Sequence, residues 1–356
     1  MSDALIIQSH RGPYTVTFAE ELPEWGVTVA SDAVHFLVDR RVAELYATLL
    51  EGVLKARSVL VIEATESAKS LDKFPAYIEG LIERRIRRDH MLVAIGGGII
   101  QDITCFLAAC LFRGIDWDYY PTTLLAQADS CIGSKSSINV GKIKNVLGTF
   151  TPPKRIGIST PFLDTLELLD IHSGVGEMLK VHAIDGPESF DEIAADYPRL
   201  FSDRTVLLKY IRRSLEIKKR FIEEDELDRG PRNLMNYGHS FGHAIESATH
   251  YEITHGIAVT IGVDMANFVA VRYGRVPASH FQRMHPTLRE NYRQILGKPI
   301  PLEAFLQAID RDKKNSSRQL ALILPNADAR VEKVFISLDE TFRSVCGDYF
   351  ATVLRS

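Results

Sequence analysis

The sequence predicts an α/β N-terminal half followed by a mainly α-helical C-terminal half. Up to about residue 150, short apolar runs alternate with longer amphipathic ones. From Pro161 onward long helical patterns dominate, and Pro152, Pro153 and Pro161 punctuate the passage between the two textures. Strand–helix alternation of this kind implies a mostly parallel sheet with helices on its faces. The expected domains are an α/β domain over 1–160 and a helical domain over 161–356, and 356 residues suffice for both.

The elements follow in order. Val34 to Val38 reads as a strand. Val42 to Lys55 has Val42, Leu45, Leu49 and Val53 at helical spacing. Ser58 to Ile62 reads as a buried strand. Ser70 to Arg88 is amphipathic, with Phe74, Ile78, Ile82 and Ile86 four apart on one expected stripe. Met91 to Ile95 is a continuous apolar strand that runs into Gly96-Gly97-Gly98 and then an apolar helix, Ile99 to Phe112. Asp116 to Tyr120 is a further strand. Beyond the break, helical patterns cover 174–183, 205–224, 240–249 and 256–273, and strands return at 320–324 and 333–336.

Bulk properties exclude several classes. The chain is 46% hydrophobic and 25% charged, ordinary for a soluble globular protein. A net charge of −4 argues against a dedicated nucleic-acid binder. Cys105, Cys110, Cys131 and Cys346 form no C-x-x-C pair, which suits reduced thiols and a cytoplasmic location rather than a zinc ribbon. The N-terminus lacks a signal-peptide pattern, and no apolar run reaches the roughly eighteen residues that span a bilayer, so no membrane partner is expected.

The chemistry-bearing residues cluster in motifs. Gly96-Gly97-Gly98, between strand and helix, would let a phosphate reach backbone N–H groups at a helix N-terminus; a tight turn explains the same glycines. It is not the G-x-G-x-x-G dinucleotide fingerprint. Asp102, one turn on, faces the same crevice or solvent. Thr122 and Thr123 follow a strand and serve either a dinucleotide or a helix cap. Asp129 lies on an apolar pattern, where an unpaired carboxylate is costly. Lys135, Lys142, Lys144 and Asn145 form a basic, glycine-bearing segment suited to phosphate or to a solvated loop; Arg113 carries the same ambiguity.

Downstream, Asn236-Tyr-Gly-His239-Ser-Phe-Gly-His243 and Thr254-His255-Gly256 place three imidazoles close in sequence. His239 and His243 share a helix face. Ser173-Gly-Val-Gly-Glu177 adds a carboxylate at an expected helix start. Two histidines and a carboxylate are the ligand set of an open, catalytic zinc. His243 then serves as an outer donor or proton relay. Arg232 suits bidentate binding of a carboxylate, and Asn236 would share the face of His239 if the helix began that early. Lys218 and the loop Asp312-Lys313-Lys314-Asn315 would alone pass as surface charge.

Together these segments resemble 3-dehydroquinate synthases, within the sugar-phosphate cyclases, from Ser9-His-Arg-Gly-Pro-Tyr to Asp312-Lys-Lys. The resemblance implies a Rossmann-like NAD domain, a helical metal domain, and a substrate between them. It implies Glu177, His239 and His255 as zinc ligands; cobalt would accept the same set. It implies Glu66, Lys69, Gly97, Gly98, Asp102, Thr122, Thr123 and Lys144 at NAD. Asp129, Lys135, Lys180, Asn236 and His243 match catalytic positions. Arg113, Asn145, Lys218, Arg232 and Lys314 match substrate-binding ones, with Arg113 reaching a neighbouring subunit in a homodimer.

The implied reaction is a phosphate-eliminating lyase of the shikimate pathway, in aromatic amino acid biosynthesis. It proceeds by transient oxidation, elimination, reduction and intramolecular aldol closure. The expected substrate is 3-deoxy-arabino-heptulosonate 7-phosphate. The alternatives are cyclases of sedoheptulose 7-phosphate or glucose 6-phosphate, and a metal-dependent polyol dehydrogenase. Several positions depart from the family pattern: Ser134 replaces a glycine before Lys135, Gly141-Lys-Ile replaces Pro-Leu-Gly before Lys144, Ile257 replaces Glu, Arg41 replaces Asn, and no glycine follows Lys314.

Overall fold

A computed structural model describes residues 4–21, 23, 29, 31–311 and 319–354. The chain divides into two compact units: Met1–Leu166 with Lys219–Leu227, and Glu167–Lys218 with Asp228–Ser356.

The first unit is built on a sheet of strands β1 (Leu5–Ile7), β2 (Tyr14–Ala19), β3 (Val34–Asp39), β4 (Val59–Ile62), β5 (Met91–Gly96), β6 (Asp116–Pro121) and, further along the chain, β9 (Arg155–Ser159). Their order is β1-β2-β9-β6-β5-β3-β4, parallel throughout except for β1 against β2. β4 lies on one side of β3 and β5 on the other, so the strand order reverses at β3. In open α/β sheets the crevice outside the carboxyl ends of the strands at such a reversal is where ligands bind. Asp39 and Gly96-Gly97-Gly98 stand there.

Two helical stripes differ from the sequence expectation. The run after β3 splits into α1 (Arg40–Leu45) and α2 (Glu51–Leu54). Val42, Ala43, Tyr46, Leu50 and Val53 are its buried residues, whereas Leu45 and Leu49 face solvent. In α3 (Phe74–Glu83), Ile82 is exposed and Leu81 is fully buried. Steps of four advance about 40° each around a 3.6-residue helix, so two steps carry Ile82 off the face that Phe74 begins. After β5 comes α4 (Gly98–Cys110). The expected basic loop is instead a hairpin, β7 (Lys135–Val140) and β8 (Ile143–Phe150).

In the second unit, α5 (Leu168–Asp185), α6 (Pro187–Ala195), α7 (Arg204–Glu224), α8 (His239–Ala248) and α9 (His255–Arg272) are followed by α10 (Ala278–Asn291), α11 (Leu302–Asp310) and α12 (Glu340–Asp348). The last residues of α7 belong to the first unit. β10 (Gln319–Pro325) and β11 (Val331–Ser337) pair antiparallel. α9 is apolar all round and almost wholly buried, as a central helix must be. Its one buried carboxylate, Asp264, accepts from Tyr292 Oη (2.7 Å) and Tyr349 Oη (2.9 Å) and meets His285 Nδ1 at 2.9 Å.

Glycines set how near α9 lies to its neighbours. A Cβ on Gly256 would overlap the Ser173 carbonyl of α5, and one on Gly176 would overlap Thr260. A Cβ on Gly262 would overlap the Gly238 carbonyl at the start of α8. The close approach is therefore written into these positions. No described helix is long and apolar enough to cross a membrane.

Candidate active site

In the first unit, Gly97 is the N-cap of α4 and no side chain caps the helix. The first-turn N–H groups have no intrahelical partner by construction. A Cβ on Gly98 would meet nothing within 4 Å, whereas one on Gly97 would lie 3.0 Å from Thr123 Cγ2. There is thus open space against a positive helix end, the setting that suits a pyrophosphate. The Thr122 N–H donates to the Gly96 carbonyl (3.1 Å), and Thr123 Oγ1 accepts from the Ala126 N–H (3.3 Å).

Lys69, buried, organises the flank of this crevice. Its Nζ donates to Asp102 Oδ2 and Asn145 Oδ1, both at 2.9 Å, and lies 3.6 Å from Glu66 Oε1. The other Asp102 oxygen accepts from the Ser137 N–H at 3.0 Å. Burial raises the Asp102 carboxyl above its ordinary range despite the opposing Lys69 ammonium. Asn145 has φ +53° on the exposed hairpin, beside Lys144, and its N–H donates to Asn139 Oδ1 at 2.9 Å. Lys135 opens β7 and is exposed. Asp129 is half-buried in a π-helical turn, Ala126–Ser130. Arg113 is exposed at φ +70° after α4.

In the second unit, three helices converge on one point. Glu177 lies in the middle of α5, not at a helix start, because α5 begins nine residues earlier, at Leu168. It is 1% exposed. His255 Nε2 is 3.4 Å and His239 Nε2 3.8 Å from its Oε1. Lys180 Nζ, itself buried, is 2.5 Å from Oε2. Neither carboxylate oxygen accepts a well-directed hydrogen bond. Burial alone would raise this carboxyl; the Lys180 ammonium and the two imidazoles outweigh it and hold it well below the usual range.

A buried carboxylate whose Oε1 faces two imidazole nitrogens fits a divalent cation by donor chemistry. Burial, then the Lys180 charge, lowers His239 well below its ordinary value, so it stands neutral with a lone pair to give. Burial would lower His255 as well, but the carboxylates of Glu177 and Glu246 outweigh it and push it to about 10. The anionic field that holds a proton there would equally hold a metal.

His243 joins the cluster. Ring centroids are 5.3 Å apart for His239–His243 and 5.6 Å for His243–His255, and ligand atoms of all three imidazoles lie within 4.8 Å of one another. Two triads therefore share His239 and His255, one completed by Glu177 and one by His243. His243 also lines a cavity of about 470 Å³ with Ser240, Ser247, Tyr251, Gln307 and Arg311.

Arg232 and Asn236 lie in the 3₁₀ segment Pro231–Asn236, which packs on α5. Asn236 does not share a helix face with His239, since left-handed Gly238 (φ +76°) separates that segment from α8. Its Nδ2 donates to the Asn233 carbonyl at 3.0 Å. Arg232 and Lys218 are buried cations. Lys313 and Lys314 lie outside the described residues.

Sequence reasoning missed Glu246, whose Oε2 meets His255 Nδ1 at 3.1 Å. It sits seven residues after His239 on α8, two turns along one face, and that spacing was available to find it.

The chain thus joins an α/β unit that carries a ligand crevice and a helical unit that carries an imidazole–carboxylate cluster. Among solved structures, 2-deoxy-scyllo-inosose synthase complexed with carbaglucose-6-phosphate, NAD+ and Co2+ shares the fold, with TM-score 0.85 and 22% identity over 97% of this chain and 99% of that one. 2-epi-5-epi-valiolone synthase from Streptomyces hygroscopicus subsp. jinggangensis, with NAD+ and Zn2+ bound, has TM-score 0.82 and 25% identity over 96% and 97%.

Sequence relatives are named more narrowly. The 3-dehydroquinate synthase of Xylella fastidiosa (strain M12) is 35% identical over 340 residues, 90% of this chain and 92% of the relative. That of Alkaliphilus metalliredigens is 34% identical over 324 residues, 90% and 91%. The family models for the 3-dehydroquinate synthase N-terminal and C-terminal parts match residues 59–173 and 174–315. The chain belongs to the 3-dehydroquinate synthase family.

Proposed function

We propose that the protein is an NAD- and zinc-dependent cyclase that converts 3-deoxy-arabino-heptulosonate 7-phosphate to 3-dehydroquinate and inorganic phosphate. The observation that carries this reading is the buried Glu177 carboxylate, whose Oε1 lies 3.8 Å from His239 Nε2 and 3.4 Å from His255 Nε2. Glu177, His239 and His255 would hold the cation, and Glu246 would accept the Nδ1–H of His255 and so leave Nε2 to ligate. Glu66, Lys69, Asp102, Thr122, Thr123, Lys144 and the open N-terminus of α4 would hold NAD. Bound, the metal supplies Lewis acidity at a substrate hydroxyl and NAD a hydride acceptor restored each turnover.

The chain's own groups do the rest. The buried Arg232 guanidinium pairs bidentately with the substrate carboxylate. Lys218, Lys135, Asn145 and Lys314 receive the phosphate. Lys180 lies against Glu177 and offsets its charge. His243, at the edge of the cluster, passes protons to the solvent-open side. Asp129 and Asn236 orient the substrate. Arg113 would complete a neighbouring copy's site in a homodimer. Such an enzyme serves the shikimate pathway.

A second reading, cyclisation of sedoheptulose 7-phosphate or glucose 6-phosphate, draws support from structural neighbours named for other cyclase activities. Phosphate release from each of the three sugar phosphates, with NAD and zinc present, tests both. Release from the heptulosonate alone is expected. Release only from a neutral-headed sugar phosphate would overturn the first reading, and net NADH accumulation with a simple polyol would overturn both.

A further inference from the structure

Ser134, which precedes Lys135, has a specific partner within the first unit. Its φ is +63°, the left-handed region where glycine costs least. Three hydrogen bonds hold this turn. Ser134 Oγ donates to Glu226 Oε1 at 2.5 Å, the Ser134 carbonyl accepts from the Thr151 N–H at 2.7 Å, and the Gly133 N–H donates to Tyr14 Oη at 3.1 Å.

Glu226 is the hub. Its Oε1 also accepts from Ser9 Oγ at 2.6 Å. Its Oε2 accepts from the His10 N–H at 2.7 Å and meets His10 Nδ1 at 2.9 Å. A carboxylate offers about four lone-pair sites, and all of them are engaged here. Its side chain is 11% exposed. Burial would raise this carboxyl, but the hydrogen bonds from Ser134, Ser9 and His10 hold it below its ordinary value. Lys135 is the next residue along the chain and the first of β7.

We propose that Glu226 is a positioning residue: through the Ser134 hydroxyl it locks the Gly133–Ser134 turn against residues 9 and 10, and so sets the direction in which Lys135 leaves β7. The proposal deepens the functional reading above and rests on its assignment of Lys135 to the substrate pocket. The Ser134 hydroxyl thereby ties the lysine-bearing strand to residues 9 and 10 through Glu226.

The donor pattern predicts a graded series. Glutamine at 226 can turn its oxygen to the His10 N–H and its NH2 to the Ser9 and Ser134 hydroxyls, which rotate to accept. Alanine can do neither. The test uses the full chain with NAD and zinc, and the variants E226A, E226Q and S134A. Limited acetylation is read peptide by peptide, with the exposed Lys142 of the same hairpin as the internal reference. In E226A the Lys135/Lys142 acetylation ratio should change about fivefold or more, in S134A in the same direction by less, and in E226Q by less than about twofold.

In the turnover assay E226A should raise KM for the sugar phosphate about tenfold while kcat changes less than about threefold and NAD affinity holds within about twofold. An unchanged acetylation ratio in both E226A and S134A overturns the proposal. So does a loss of NAD affinity that parallels the loss of kcat/KM in every variant. If the wild-type protein releases phosphate from no sugar phosphate, the functional reading fails, and the acetylation ratio still decides whether Glu226 positions Lys135.

Discussion

Substituting Glu177→Gln removes a negative charge from a site with almost no solvent, and the consequence can be sized. The lysine beside it, Lys180, is 2% exposed with its Nζ 2.5 Å from Oε2. At an effective dielectric of about 20, that pair is worth about 7 kcal/mol of attraction. The full amount is not lost, because the stranded ammonium can shed its proton. For a lysine of ordinary pKa, deprotonation at pH 7 costs about 4–5 kcal/mol, and at pH 9 only about 2 kcal/mol. The lower of the two costs sets the penalty, so the metal-free variant should lose about 4 kcal/mol at pH 7 and about half of that at pH 9.

For the roughly 180 residues of the second unit, the entropy of unfolding is about 0.4 kcal/mol/K. The melting temperature of that unit should therefore fall about 10 °C at pH 7 and about 5 °C at pH 9, each against wild type at the same pH. Scanning calorimetry on chelator-treated protein measures this, and zinc content after reconstitution provides the second readout. A fall under about 2 °C at pH 7, or stoichiometric zinc in the variant, would show that Glu177 neither carries the buried charge balance nor ligates metal.

Four further outcomes follow from the same geometry. Glu246→Gln should weaken zinc binding by about 10–100-fold in chelator competition, because the Nδ1–H of His255 loses a charged acceptor. Arg232→Ala should lower kcat/KM about a hundredfold or more for the sugar acid phosphate, and far less for a substrate without a carboxylate. Gly256→Ala should cost about 3 kcal/mol or more in thermal or denaturant unfolding, since its Cβ would overlap the Ser173 carbonyl and push α9 from α5. Burial, the first cause in each case, lowers His35, His182 and His280 to about 4; groups depressed on folding stabilise above their unfolded pKa of about 6.5, so stability should drop as pH falls from about 6.5 to about 4, and mutating all three to Gln should flatten that slope.

The legible parts of this chain are those where one physical force dominates. Runs such as Met91 to Ile95 read as strands because a doubly covered parallel sheet accepts nothing but apolar side chains. The hairpin β7–β8 did not, since Lys135-Ser-Ser and Lys142-Ile-Lys144 carry no strong alternation and Ile143 and Leu147 face outward. β9 was hidden for a related reason: Arg155 and Gly157 interrupt its apolar residues, and Arg155 is there to pair with the buried Asp118. The convergence of Glu177, His239 and His255 was legible, but not their setting. Nothing local tells that α5 starts at Leu168 and carries Glu177 in its middle, or that Gly238 breaks the chain between Asn236 and His239.

The cluster owes its geometry to backbone approach more than to the side chains that compose it. The His255 ring is strapped between two carboxylates on different helices, Glu177 of α5 at Nε2 and Glu246 of α8 at Nδ1. An imidazole spans such a gap only if both helices lie close to α9, and side chains at the crossings would prevent that. Gly176 and Gly256 remove them on the α5 side, and Gly238, Gly242 and Gly262 on the α8 side. Each glycine forfeits about 1 kcal/mol of helix propensity relative to alanine. Four of them lie inside or at the first turn of a helix, so the fold gives up several kcal/mol to bring three helices near enough for their imidazoles and carboxylates to meet. That cost is intelligible only if the convergence is worth more to the molecule than the helices are, which ties the glycine pattern to the ligand set as one feature rather than two.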